Sequence, residues 1–186
     1  MHSLWEWDRA SALGTTLDSR FRLFPYREEE TVRGRSRRLP RPTVDATLVS
    51  GEFEATTKCL IDTGSPRCVF PRGAGVALDL DLPESAQGHP DVHDLRFLGE
   101  NWEAVPFTVQ LTLPPYEDLT WEAQADFVLN EGLPFGLLGH EGFLDRWAVS
   151  FNAYHDYFVV EPVEALHKRV PIDVFRVWQE EWPDYN

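Results

Sequence analysis

Two stretches of strictly alternating apolar residues restrict what this chain can fold into more than any other feature. Val105, Phe107, Val109, Leu111 and Leu113 take every second position. Trp121, Ala123, Ala125, Phe127 and Leu129 do the same beyond the break Pro114-Pro115-Tyr116-Glu117-Asp118. Successive side chains of a strand point to opposite faces, so a period of two buries one face and wets the other. The two stretches are therefore expected to be half-buried strands of an antiparallel pair. Upstream, Val44, Ala46 and Leu48 alternate, Ser50-Gly51-Glu52 has turn chemistry, and a second strand climbs to Ile61, which makes a hairpin. Val69-Phe70 reads as a short inner strand. Phe135-Gly136-Leu137-Leu138-Gly139 lacks alternation and fits a strand buried on both faces. Trp147 to Phe151 and Tyr157 to Val160 close the pattern as a hairpin around Asn152 to Asp156, and Arg20 to Phe24 suggests one more short strand. The fold class is all-β. Helix is expected in three places: after a loop over Pro71 to Val76, over Glu141 to Trp147 as one or two turns, and in the tail.

At 186 residues, 42% hydrophobic and 13% aromatic, the chain is long enough for one domain with a sizeable core and short extensions. The expected divisions are an N-terminal extension with a basic arm over 1–41, a main domain over 42–162, and a C-terminal tail over 163–186. The net charge is −14, unevenly placed: residues 1–41 hold nine Arg against six acids, and the remainder holds eight Lys or Arg against twenty-five acids. An acidic body repels phosphate, which argues against nucleic acid or an anionic membrane as partner. Arg33, Arg35, Arg37, Arg38 and Arg41 form a basic patch that reads as a solvated linker or as an arm docking on an acidic surface. In the tail, Ile172, Phe175, Trp178 and Trp182 recur at near-helical spacing, as in an amphipathic helix packed on the body or engaged by a partner. No apolar run reaches membrane-spanning length, and the start Met1-His2-Ser3-Leu4-Trp5-Glu6 lacks the form of a secretory signal, so a cytoplasmic location is expected. The two cysteines, Cys59 and Cys68, are too few for a disulfide framework and are expected to be reduced thiols.

Between those cysteines lies Leu60-Ile61-Asp62-Thr63-Gly64-Ser65. A strand-forming Leu-Ile pair leads straight into an acid, where burial would ordinarily forbid a charge unless a function or a partner compensates. Asp-Thr-Gly also marks ordinary turns in which the acid bonds its own backbone. The functional alternative is peptide hydrolysis. That reaction needs an activated water and an acid for the departing amine, and two carboxylates sharing one proton supply both. With no second Asp-Thr-Gly or Asp-Ser-Gly in the chain, the other carboxylate must come from a second copy, placing an Asp62 pair on a two-fold axis. Such a pair titrates as a unit. Thr63 would bond across to the opposite turn, Gly64 would let backbone approach substrate, and Ser65 would offer its hydroxyl to the outer carboxylate oxygen.

The Asp62 motif, followed by Cys68-Val69-Phe70 and later by Leu137-Leu138-Gly139-His140-Glu141-Gly142-Phe143-Leu144, resembles the retropepsin-like aspartic peptidases over Val44 to Pro162. The resemblance implies a closed, barrel-like acid-protease fold with short helices, homodimerisation, no cofactor and no metal. It also implies an extended peptide or protein substrate bound as an added strand. It places catalysis at Asp62, Thr63 and Gly64, and sets Ser65, Leu138, Gly139, Gly99 and Trp102 on the substrate side. The last two belong to a hairpin over Asp91 to Phe107 standing where a flap should lie. Retroviral members carry an Asp two residues after the first glycine and an Arg after the second, whereas this chain has Pro66 and His140. The ordered departure leaves no orphan charge, and His140 could contact substrate, neighbour the Asp62 turn, or pack. His89-Pro90-Asp91-Val92-His93-Asp94 clusters imidazoles and carboxylates, but Pro90 disfavours the helix that would converge them, so a solvated loop is expected instead of a metal site. The function expected is an aspartic endopeptidase. The alternatives are a catalytically silent peptide-binding module and a structural assembly domain of the same fold.

Overall fold

In a computed structural model, which describes residues 22–30, 38–84, 89–97 and 100–169, the alternating stretches form the two longest strands of a closed barrel. The strands in chain order are β1 (Arg22–Pro25), β2 (Arg27–Glu30), β3 (Arg38–Arg41), β4 (Thr43–Ser50), β5 (Phe53–Ile61) and β6 (Val69–Phe70). After helix α1 (Arg72–Ala77) come β7 (His93–Phe97), β8 (Glu100–Leu113), β9 (Tyr116–Val128), β10 (Gly136–Leu138), β11 (Trp147–Asn152) and β12 (Tyr157–Pro162), then helix α2 (Val163–Arg169). Hydrogen bonding runs β4-β5-β10-β6-β9-β8 and returns to β4, where Leu48 faces Leu111, closing six strands on themselves. Closure removes the exposed edges that an open sheet would present.

The inward residues follow from the period of two. Val44, Ala46 and Leu48 from β4, Val109, Leu111 and Leu113 from β8, and Trp121, Ala123, Ala125 and Phe127 from β9 share one apolar core. Gly51 stands at φ +59° in the two-residue connection between Ser50 and Phe53, a left-handed position that glycine occupies without a Cβ clash. The break between the long strands is shorter than the sequence suggests. The turn is confined to Pro114-Pro115, and β9 resumes at Tyr116 and ends at Val128, one residue before Leu129.

Alternation fails at the end of β9, where Ala125, Asp126, Phe127 and Val128 are all buried. The reason is a second apolar cluster on the outer face of the barrel wall, made by Val69, Trp102, Ala104, Val128, Leu133 and Leu137. Here the wall is covered on both sides, which also explains why the short strand β10 reads as a continuous apolar run.

A three-stranded sheet, β1-β12-β11, packs against the barrel through Phe24, Phe158 and Val160. The expected linker over 33–41 becomes a strand from Arg38 onward, pairing with β2 in a two-stranded ribbon. Helix α1 starts at Arg72, inside the stretch read as a loop. Glu141 to Trp147 is not helical: Gly142 to Arg146 forms successive turns, with the Leu144 and Asp145 amides reaching back five residues to Gly139 and His140, and Trp147 already opens β11. The tail aromatics Phe175, Trp178 and Trp182, like Ile172, Arg33, Arg35 and Arg37, lie outside the described residues. None of the described helices is long and apolar enough to cross a membrane.

Candidate active site

β5 delivers Asp62 at the mouth of the barrel. Ile61 pairs in parallel with Leu138 of β10, and the Asp62 amide donates to the Leu138 carbonyl at 3.1 Å, one step past the last strand pair. The chain then turns: the Gly64 amide donates to Asp62 Oδ1 at 2.9 Å and the Ser65 amide to the Asp62 carbonyl at 3.2 Å. Asp62 is half-buried, while Thr63 and Gly64 are exposed. The three residues expected to do chemistry therefore form a tight turn whose backbone is held from behind and whose front faces outward.

The hold from behind comes from the segment after β10. The His140 amide donates to the Ser65 carbonyl and the Glu141 amide to the Pro66 carbonyl, each at 2.9 Å, and the Cys68 amide returns to the Glu141 carbonyl at 3.1 Å. Gly139 makes this approach possible. A Cβ built there would stand 2.3 Å from the Arg67 carbonyl oxygen and 2.6 Å from that of Ser65, both backbone atoms with no freedom to move aside. His140 adds a side-chain grip: its Nε2 lies 2.8 Å from the Thr63 carbonyl, and because a carbonyl only accepts, that nitrogen carries the proton. His140 thus neighbours the Asp62 turn.

The residues expected to line the substrate side point inward. Leu138 is fully buried in the main core and Trp102 is 5% exposed, stacked on Phe97 at 5.3 Å within the second cluster. Gly139 is buried between the two loops. Ser65 is 6% exposed and donates its hydroxyl to the Arg67 carbonyl at 2.7 Å, so its proton is directed away from the Asp62 carboxylate. These four build and brace the site from within, because each sits where two backbone segments or two apolar faces meet. Gly99 falls outside the described residues, although the hairpin that would carry it is present, with β7 and β8 paired from His93 and Ala104 to Phe97 and Glu100.

A charge pair does join the two loops, one residue beyond each expected position and with reversed polarity. Arg67 Nε meets Glu141 Oε2 at 2.9 Å across a parallel bridge between the same residues. Arg67 Nη1 also lies 3.9 Å from Asp126 Oδ2, and His93 Nε2 approaches the same oxygen at 3.3 Å. His93 thus belongs to a strand and not to the solvated loop expected for 89–94. The Asp126 side chain is 1% exposed, and burial pushes its carboxyl above the usual aspartate range, with His93 and Arg67 pulling the other way. Sequence reading missed this acid because it shares parity with the exposed Glu122 and Gln124.

Cys59 and Cys68 are free and buried, and burial is the main cause raising both thiols, Cys68 to about 12. A thiol so placed is apolar filling, not a nucleophile. Among the described residues no three His, Cys, Asp or Glu side chains converge to hold a metal ion. An open cleft of about 410 Å³ is lined by Glu122, Gln124, Glu141, Asp145 and Arg146, and none of the Asp62-Thr63-Gly64 residues lines it.

This chain is similar in structure to a retropepsin-like aspartic protease from Rickettsia conorii. The two share 14% sequence identity with a TM-score of 0.47, over 75% of this chain and 97% of the other. No protein-family model matches the sequence, and no curated protein matches it.

Proposed function

We propose that the protein is an aspartic endopeptidase whose centre forms when two copies bring their Asp62 carboxylates together. The observation that carries this reading is the presentation of the Asp62-Thr63-Gly64 turn. Its backbone is fastened by Leu138, Ser65 and His140, while Thr63 and Gly64 stay exposed on the side a second copy would occupy. The bond from the Gly64 amide to Asp62 Oδ1 is the one any Asx turn makes, so it is the exposure of the turn, and not this bond, that supports the reading.

In the assembled pair one carboxylate stays ionised and the other keeps a proton, because two like charges in contact cannot both ionise. The ionised group takes a proton from the lytic water and later passes it to the departing amine, while the protonated group polarises the scissile carbonyl. Thr63, exposed at the turn, would meet its copy and keep the carboxyl planes aligned. Gly64 leaves room for substrate backbone, and an extended peptide would add as a strand along the mouth of the barrel. The reaction needs no cofactor, and the division into arm, peptidase domain and tail accompanies this reading.

The test is cleavage of an unstructured protein across the acid range by wild type and Asp62→Asn, with the oligomeric state measured on the same samples. Cleavage by a dimer that falls by at least about a thousandfold in the variant, without a lower melting temperature, is the expected result. An inert wild-type dimer that still binds peptide would instead identify a silent binding module.

A further inference from the structure

Among the described residues four buried side-chain polar atoms lack a hydrogen-bond partner; two are Trp102 Nε1 and Trp147 Nε1, and the other two are a base and an acid facing each other. His93 Nε2 and Asp126 Oδ2 are both buried, stand 3.3 Å apart, and lack an aligned hydrogen bond among the described residues. The strand register explains their meeting. His93 of β7 pairs with Ala104 of β8, which pairs with Val128 of β9, and Asp126 lies two residues before Val128 on the same face. The imidazole therefore reaches diagonally over β8 and ties the β7–β8 hairpin to the strand behind it.

Proton counting decides what the contact is. On its other side the ring places Nδ1 3.4 Å from the Asp91 carbonyl, which only accepts, so Nδ1 serves there as donor. A neutral ring with its proton on Nδ1 would then aim the Nε2 lone pair at a carboxylate. Two buried acceptors cannot face each other at this distance without repulsion, whereas one added proton turns the contact into a charge-assisted hydrogen bond. We propose that His93 and Asp126 share a proton that clasps the β7–β8 hairpin to β9, so that the hairpin is held while the pair keeps the proton and loosens when solvent takes it.

The surroundings leave this proton as the variable. The other charged groups facing Asp126 are Arg67 and Glu141, which are paired with each other at 2.9 Å. Asp94 and Glu103, the next residues along the hairpin, pair on its opposite face and are exposed. Asp126 also touches the candidate site through chain connectivity: its amide donates to the Cys68 carbonyl, and its carboxylate neighbours Arg67, which is bonded to the residue after His140. Any effect of the clasp on cleavage rests on the peptidase reading above; the clasp itself does not.

Hydrogen exchange on the full chain separates the two. Protection factors of the amides shared by 93–97 and 100–104 are expected to drop by about tenfold between about pH 5 and about pH 8, relative to those of the β4–β5 hairpin. His93→Gln should abolish that pH dependence, and Asp126→Asn should do the same with the hairpin loose at both values. Because His93 is one-third exposed, its variant is expected to fold even where Asp126→Asn does not. A flat profile in wild type overturns the clasp, as does a pH dependence that survives in His93→Gln, which would assign it to His89 or His140. If exchange behaves as expected and no cleavage is found, the clasp stands and only the peptidase reading falls.

Discussion

Gly139 and Asp126 show how differently single residues carry the cost of building this site. At Gly139 the constraint is steric: a Cβ would sit 2.3 Å and 2.6 Å from two backbone oxygens, and a backbone atom cannot rotate away. Gly139→Ala is therefore expected to destabilise the protein by about 3 kcal/mol, the upper end for overpacking, read as a lower urea midpoint at unchanged slope. At Asp126 the constraint is electrostatic and depends on pH. Its carboxyl titrates above the usual aspartate range in the folded chain, so between the two values the folded state holds a proton that the unfolded state has released. The stabilisation from that proton is complete below the ordinary aspartate value and is lost as pH rises through the folded one. Asp126→Asn, neutral at every pH, should thus gain on wild type as pH rises from the ordinary aspartate value through the folded one, and a stability difference that stays constant from acid to neutral pH would refute the assignment. The clasp proposed above involves the same carboxylate, whose buried charge His93 and Arg67 offset.

At the scale of elements, β1 is the test case, because the chain has to leave its N-terminal segment and return against the last strand to place it. Arg22 to Pro25 pairs with Val160 to Tyr157, and Phe24 inserts beside Phe158 at 5.4 Å, stacked, and against the edge of Tyr116 at 5.2 Å. Tyr116 in turn donates its hydroxyl to the Leu23 carbonyl at 3.0 Å, and Arg22 bonds Asp118. These contacts lock the start of the described chain onto the first residues of β9. Phe24→Ala is expected to cost about 3–5 kcal/mol, the usual range for emptying a buried phenylalanine site; a loss under about 1 kcal/mol in chemical denaturation would mean that β1 is an appendage. The same contacts make the sheet β1-β12-β11 a brace for the segment after Gly139, since β11 begins where the site's second loop ends.

For the whole molecule the governing quantity is charge. Each copy carries −14, so bringing two together works against long-range repulsion. Salt screens that repulsion over about 10 Å at 0.1 M, and acid lowers the charge by protonating surface carboxylates. If the proposed dimer forms, its dissociation constant should fall as salt rises and as pH is lowered toward 5, opposite to the trend of an interface built on complementary charges. Analytical ultracentrifugation across both series checks this. Weakening of the dimer with salt would point instead to the basic segment over 33–41 meeting an acidic surface.

Most of the barrel could be read directly from the residues, because alternation is a local property: Val44 to Leu48, Val105 to Leu113 and Trp121 to Phe127 each carry their burial pattern in their own spacing. The Asp62 turn was legible for the same reason, as an acid wedged between a strand and a glycine. What only the tertiary structure decided involves residues far apart in the chain. Leu138, Ser65 and Trp102 turned inward because apolar faces or backbone segments from elsewhere cover them, as β10 and the loop at Gly139 do. Asp126 became buried because the second cluster closes over β9, and it found His93 and Arg67 because β7 and the loop after β5 arrive there from opposite directions. Periodicity tells a strand which of its faces is apolar; which of its polar residues will lose water is settled by whatever packs on the other side.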